Sequence, residues 1–412
     1  MNIRDKIRDV LFVNVREANM KPYSKKLGKL PPYIFSIINI LKKEAYSKKL
    51  DVIDLAMGNP DMPTPDFIIE RLIDTVKNHP GTHRYPQAKG MPKLRQAVCN
   101  WYKKRFDVEL NPDNEAIVLI GSKEGIAHLC MAYLDPGDIA LVANPAYPVH
   151  LNGVILAGGK IHDMPLTAEN RWLPDLTKIP EKVARRAKLM FLNYPNNPTT
   201  ATVDDLSFFK EVIRFAKKYD IIVCHDNAYS EITFDDYIAP SFLQTTGAKD
   251  VGVEFYSLSK TYNMAGWRVG FCLGNSKIIA PLEKFKSFVD YGVPTFLQLA
   301  AATALNSSEN VMKKTLEEYK KRRDKFCDGL NKLSFTVEKP KATMYLWAKL
   351  PEKFQKDGSL KFSEELIRKT GIACSPGTGF GKYGEGYVRF ALVTHFNRFH
   401  DALMRLKKFM RG

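Results

Sequence analysis

Ser257, Ser259, Lys260 and Arg268 stand in one segment, Glu254 to Phe271, and their types suit one kind of chemistry. A lysine amine leaving the end of an apolar strand can link covalently to an aldehyde. Hydroxyls just before it and an arginine shortly after it can hold a phosphate, the arginine with its planar fork. Together they fit an aldehyde cofactor that carries a phosphate. The plain alternative is a surface lysine, since the chain has 62 Lys and Arg. Other segments decide between the two.

Asp226 follows the apolar run Ile221 to Cys224, so its carboxylate needs a charged or donor partner. A protonated ring nitrogen is one such partner; a helix cap is the other reading. Tyr229, three residues later, can hydrogen-bond a ring oxygen. Asn197, in Asn196-Asn197-Pro198-Thr199, offers an amide to that oxygen, although Asn-Pro is also a common turn dipeptide. Gly121-Ser122-Lys123 reads as a strand-to-helix turn whose N–H groups attract phosphate; it lacks P-loop spacing, and a structural turn fits equally well. Tyr147, held between Pro145 and Pro148, can stack on a ring or pack in the core. Arg389 lies in the apolar run Tyr387 to Leu392, where an arginine is costly unless paired, and its fork fits a substrate carboxylate. Gly58, in Met57 to Asp61, allows the backbone close to a ligand.

Alternating elements must position these residues. Strands are expected at Val52 to Ala56, Ala116 to Ile120, Ile139 to Ala143, Lys188 to Leu192, Ile221 to Cys224, Val251 to Phe255 and Val269 to Leu273. Helices are expected from Ile34 to Lys48, from an Asp66 cap to Asn78, from Pro92 to Phe106, from Gly121 to Tyr133 and from Val203 to Tyr219. Strands alternating with helices imply a mostly parallel sheet covered on both faces, with ligands beyond the strands' carboxyl ends. The polar clusters above mostly follow directly after strands. Beyond them, helical regions are expected over 276–305 and 309–333, the second bridging two domains. Strands follow at Thr343 to Ala348 and Tyr387 to Leu392, and Ser375 to Gly381 reads as a flexible loop. Ile3, Ile7, Val10 and Leu11 fall at helical spacing, and Lys21 to Tyr33 reads as an extended arm.

Ser257-x-x-Lys260 followed by Arg268 resembles the cofactor-lysine segment of the class I/II aminotransferases, fold type I of the pyridoxal 5′-phosphate (PLP) enzymes. The other motifs occur in family order over roughly Leu30 to Phe409. The resemblance implies PLP as cofactor, a large domain with a mostly parallel seven-stranded sheet (58–300), a small α+β domain (301–412), and an N-terminal arm that is also part of the small domain (1–57). It implies catalytic roles for Lys260, Asp226 and Tyr229. Gly121, Ser122, Lys123, Tyr147, Asn197, Ser257, Ser259 and Arg268 would complete the cofactor site. Gly58, Asn197, Arg389, Tyr33 and Tyr345 would face the substrate. Tyr85 resembles the aromatic that reaches the partner subunit's cofactor, which implies a homodimer with shared sites; a loop tyrosine is the alternative. Thr200 stands where many members have Gly. The stretches Leu30 to Tyr33, Gly121 to Gly125 and Tyr262 to Arg268 resemble bacterial alanine (glutamate–pyruvate) transaminases and LL-diaminopimelate aminotransferases. An arginine for a second substrate carboxylate has no match around Asp290 to Thr295, which argues against aspartate specificity.

Composition sets the other bounds. The chain has 412 residues, 45% hydrophobic and 26% charged, as globular proteins do. No run of eighteen apolar residues predicts a membrane span. The net charge of +17 sits in clusters interleaved with acids and lacks nucleic-acid motifs, so nucleic acid is not the expected partner. Six cysteines without a C-x-x-C pair read as reduced, buried thiols in a cytoplasmic enzyme. The expected activity is ping-pong amino transfer between an L-amino acid of the alanine or glutamate type and a 2-oxo acid. Aspartate, aromatic acids and LL-diaminopimelate stay open as donors. A PLP carbon–sulfur lyase and an aminotransferase-like regulatory domain are the other two readings.

Overall fold

Apolar runs closed by turn residues become the strands of two principal sheets. The computed structural model describes residues 23–411, so the helical spacing of Ile3 to Leu11 falls outside the described residues. The strands are β1 (Ile53–Asp54), β2 (Ala116–Leu119), β3 (Ile139–Asn144), β4 (Lys160–Pro165), β5 (Ala187–Asn193), β6 (Ile222–Asp226), β7 (Gly252–Ser257), β8 (Gly270–Gly274), β9 (Thr336–Val337), β10 (Tyr345–Lys349), β11 (Ile372–Ala373), β12 (Ser375–Pro376) and β13 (Tyr387–Ala391).

Seven strands form the central sheet in the order β2-β8-β7-β6-β5-β3-β4. All pairings are parallel except the two made by β8. β2, β3, β7 and β8 are buried at every position, which suits a sheet covered by helices on both faces. Register then lines up the chemistry. Asn193 pairs with Asp226 at the ends of β5 and β6, and Ser257 at the end of β7 pairs with Gly270 at the start of β8. β12, β13, β10 and β9 make a smaller antiparallel sheet, and β1 pairs with β11.

Helices follow their apolar periods. Ser207–Tyr219 buries Phe208, Phe209, Val212, Ile213 and Ala216 along one stripe and ends at Asp220 in the left-handed conformation. Pro92–Phe106 begins at its proline as expected. Lys313–Asn331 is anchored to the loops beside it through its arginines: Arg322 meets Asp61 at 2.7 Å and the Leu392 carbonyl at 3.0 Å, and Arg323 meets Asp235 at 2.6 Å.

Several expectations are corrected. The helical region expected over 276–305 is two helices, Ser276–Val289 and Thr295–Leu305. Gly292, at φ +81°, and Pro294 break it, and Asp290 closes the turn by accepting from the Gly292 N–H at 2.6 Å. The region expected over 309–333 opens with a 3-10 turn, Glu309–Met312. Asp66 is the first helical residue of Asp66–Asn78, with Pro65 at the cap position. The arm contains a 3-10 turn, Leu27–Lys29. Ser375 to Gly381 is a packed turn: β12 pairs with β13, and Phe380 is fully buried. Neither Pro148–Ala157 nor edge strand β4 was anticipated. Thr200 sits at φ +64°, a conformation that favours glycine, which accounts for the turn difference expected there.

Candidate functional site

Strand ends and the turns after them enclose a cavity of about 200 Å³ at the carboxyl edge of the central sheet. Fourteen of the sixteen predicted residues line it: Gly58, Ser122, Lys123, Tyr147, Asn197, Asp226, Tyr229, Ser257, Ser259, Lys260 and Arg268, with Tyr33, Tyr345 and Arg389 from the arm and the small sheet. Gly121 stands just behind. At φ +74° it turns the chain into Ser122–Tyr133, and a Cβ there would lie 2.3 Å from Arg268 Nη2. Tyr85 is not in the cavity; it is 85% exposed, and its ring meets Tyr291 at 4.9 Å. A larger cleft of about 670 Å³ includes Trp172, Thr200, Lys349 and Tyr387 in its lining, and none of the sixteen.

The cavity has one acidic wall. Asp226, nearly buried at the end of β6, accepts from His150 Nε2 at 3.1 Å through Oδ2. A carboxylate only accepts, so this nitrogen of His150 carries the proton. The His150 ring stacks on Phe191 at 5.8 Å and meets the Tyr147 ring edge-on at 6.1 Å. Asn193 donates to the Asp226 carbonyl at 2.6 Å. Asp226 Oδ1 is buried with no hydrogen-bond partner among the described residues. Buried carboxylate oxygens are normally satisfied, and an N–H from a bound ring would satisfy this one.

At the opposite wall, Arg389 is 1% exposed on β13. Its Nη1 donates to Asn197 Oδ1 at 2.6 Å and its Nη2 to the Ala56 carbonyl at 2.8 Å, leaving Nε without a partner among the described residues. Phosphate-compatible groups cluster elsewhere in the lining: Ser257, Ser259, the start of Ser122–Tyr133, and Arg268. Arg268, left-handed at φ +55°, is held by donating to the Ala265 carbonyl at 2.8 Å.

Lys260 Nζ donates to the Gly58 carbonyl at 2.5 Å. Burial holds its pKa below the ordinary lysine value, and the nearby Arg389 and Arg268 charges act in the same direction, against an opposing contribution from Tyr345. A lowered folded-state pKa means that the unfolded chain binds more protons between that pKa and about 10.4. Stability therefore rises with pH through this window, and at neutral pH the lysine costs the cofactor-free protein stability. Cofactor-free Lys260→Met should accordingly be more stable than wild type at neutral pH, with the gap closing toward pH 10. Urea unfolding across pH measures this, and a gap independent of pH contradicts it.

His150 and Asn193 were not singled out from the sequence. His150 falls one helical turn after Tyr147, which was the available signal. Glu254, also missed, is fully buried and accepts from Tyr102, His225, Asn227, Ser241 and the Phe242 N–H. A charged residue inside the apolar run Val251 to Phe255 was the clue.

The sequence profile of aminotransferase class I and II matches residues 50–398. The chain belongs to this family. It is 49% identical over 385 residues to an LL-diaminopimelate aminotransferase of Moorella thermoacetica, covering 93% of this chain and 97% of that one. It is 45% identical to glutamate-pyruvate aminotransferase AlaC of Escherichia coli, covering 94% and 93%. Substrate-bound BacF from Bacillus subtilis superposes with a TM-score of 0.90 at 40% identity, covering 95% and 98%. The protein is therefore an aminotransferase of PLP fold type I, and PLP is its cofactor. The unpaired Asp226 oxygen, the hydroxyl and arginine cluster and the depressed Lys260 fit that cofactor. Small-molecule amino acid and 2-oxo acid substrates fit this family. No helix among the described residues is long and apolar enough to cross a membrane.

Proposed function

We propose that the cavity moves an amino group between an L-amino acid of the alanine or glutamate type and a 2-oxo acid by a ping-pong mechanism. Bound PLP supplies the electron sink for the substrate's α-carbon. Lys260 carries the covalent link, and its amine moves the α-proton. Asp226 keeps the ring nitrogen protonated, with His150 holding the carboxylate in place. Tyr147 stacks on the ring. Asn197 and Tyr229 donate toward the ring oxygen, while Gly121, Ser122, Lys123, Ser257, Ser259 and Arg268 hold the phosphate. Arg389 takes the substrate carboxylate, with Gly58, Tyr33 and Tyr345 closing the substrate side. The carrying observation is that two buried polar atoms without partners among the described residues, Asp226 Oδ1 and Arg389 Nε, belong to residues lining one cavity.

The same reading places a large cofactor domain at 58–300 and a small one at 1–57 with 301–412, supported by the separate sheets. It includes a cytoplasmic homodimer in which Tyr85 reaches the partner's cofactor, supported by its exposure beside Tyr291. Among the described residues the lining cations are Lys123, Lys260, Arg268 and Arg389, all assigned above, which leaves no further cation among them to select a charged donor side chain. This favours a short donor such as alanine. LL-diaminopimelate is the second reading, favoured by the similarity to enzymes of that name. Initial rates with L-alanine and with LL-diaminopimelate, each against 2-oxoglutarate, test the choice. At least tenfold higher kcat/KM for alanine is expected, and the reverse order transfers the assignment to the second donor.

A further inference from the structure

We propose that Tyr345 is a positioning residue: its phenol donates to the Tyr229 oxygen and thereby turns the Tyr229 proton into the cavity. This inference rests on the cofactor reading above and deepens it.

Tyr345 lies at the start of β10 in the small sheet, while Tyr229 follows β6 of the central sheet. Their oxygens are 3.0 Å apart, and their rings meet edge-on at 5.7 Å. Distance alone leaves the donor open; the surrounding groups decide it. Arg389 has only donors, so the Asn197 oxygen must face it, at 2.6 Å from Nη1. The Asn197 amide nitrogen is then the end that faces the Tyr229 oxygen, at 3.3 Å. A hydroxyl has one proton and two lone pairs. Asn197 fills one lone pair of Tyr229. In the cofactor reading the one Tyr229 proton is donated outward to the ring oxygen, so the 3.0 Å contact must have Tyr345 as its donor, filling the second lone pair.

Charge favours the same direction. Lys260, Arg389 and the phenols of Tyr147 and Tyr319 are titratable or charged neighbours of this pair. Burial pushes both phenols up. At Tyr345 the charges of Arg389 and Lys260, together with the Tyr229 hydrogen bond, outweigh it and hold the group below the usual tyrosine range, whereas Tyr229 stays well above that range. The more acidic phenol is the better donor. Packing keeps it in place: the Arg389 guanidinium lies 4.1 Å from the Tyr345 ring centroid, and a Cβ on residue 58 would fall 1.9 Å from the Tyr345 oxygen. Gly58 is thus required by the phenol as well as by any ligand.

The test follows the visible absorption band of the PLP-loaded enzyme against pH. A weaker Tyr229 donor leaves the ring oxygen more basic, so the proton it shares with the linked Lys260 nitrogen is lost at higher pH. Tyr345→Phe should raise the titration midpoint by about half a unit to one unit, the effect of one neutral hydrogen bond. Tyr229→Phe should raise it further, and the double variant should match Tyr229→Phe alone, because Tyr345 acts through Tyr229. Gly58→Ala, which displaces the phenol without removing it, should move the midpoint in the same direction. A Tyr345→Phe midpoint equal to wild type, with Tyr229→Phe shifted, overturns the inference and leaves the cofactor reading standing. A wild-type band that does not titrate and is unchanged in Tyr229→Phe overturns both.

Discussion

Lys260→Ala should lower kcat/KM for amino transfer by at least about 10,000-fold, the upper range for losing a positioned acid–base group that also carries the covalent link. The site gives no substitute. The other lining cations are Lys123, Arg268 and Arg389. Arg389 is held by Asn197 and the Ala56 carbonyl, and Arg268 by the Ala265 carbonyl. An arginine does not give up its proton near neutral pH. Lys123 is exposed, with its ammonium 5.4 Å from the Tyr33 ring centroid. The variant should still bind PLP through the phosphate cluster and Asp226, so the loss should appear in kcat. Steady-state kinetics with alanine and 2-oxoglutarate measure it, and turnover within tenfold of wild type contradicts the assignment.

Glu254→Leu should destabilise the fold by about 3–5 kcal/mol, the scale for breaking a buried charge network. Five donors converge on this one carboxylate. Tyr102, Ser241 and Asn227 reach Oε1 at 2.7, 2.7 and 3.0 Å. His225 Nδ1 and the Phe242 N–H reach Oε2 at 2.8 and 2.9 Å. The Tyr194 N–H donates to His225 Nε2 at 3.3 Å, which leaves Nδ1 as the nitrogen bearing the proton. Leucine fits the apolar strand but leaves every one of these donors without an acceptor. Glu254→Gln keeps one acceptor and should lose less. Burial raises the Glu254 pKa, yet these donors outweigh it and the group ends below the usual glutamate range. A lowered pKa contributes stability that is complete above the unfolded value, about 4.3, and lost as pH falls through the folded value. The deficit of the variant should therefore shrink in acid. Urea midpoints at neutral and acid pH measure both effects, and an unchanged midpoint at neutral pH contradicts the network's role.

Arg389 and Glu254 show how far the sequence could be read. Arg389 was legible as a buried cation because an arginine in an apolar strand demands partners, and the structure supplies Asn197 and the Ala56 carbonyl. Glu254 carried the same signal, but its partners extend from Tyr102 to Phe242 and only the folded sheet gathers them. Single segments were legible wherever periodicity and punctuation agreed, as in Pro92–Phe106 and Ser122–Tyr133. Gly292 and Pro294 were visible breakers that the apolar periodicity on either side obscured, so two helices read as one. Residues on strand ends come together in one cavity because a parallel sheet puts them on one edge. His150 escaped because its bond to Asp226 crosses from a helix after β3 to β6, a contact that no local pattern encodes. The Tyr345–Tyr229 bond spans both sheets and was out of reach for the same reason.

Borohydride treatment of the purified protein loaded with PLP, followed by peptide mass spectrometry, tests the central claim most directly. The account predicts loss of colour and one phosphopyridoxyl group, carried on the peptide containing Lys260. An unmodified Lys260 peptide, or the group on another lysine, would contradict it.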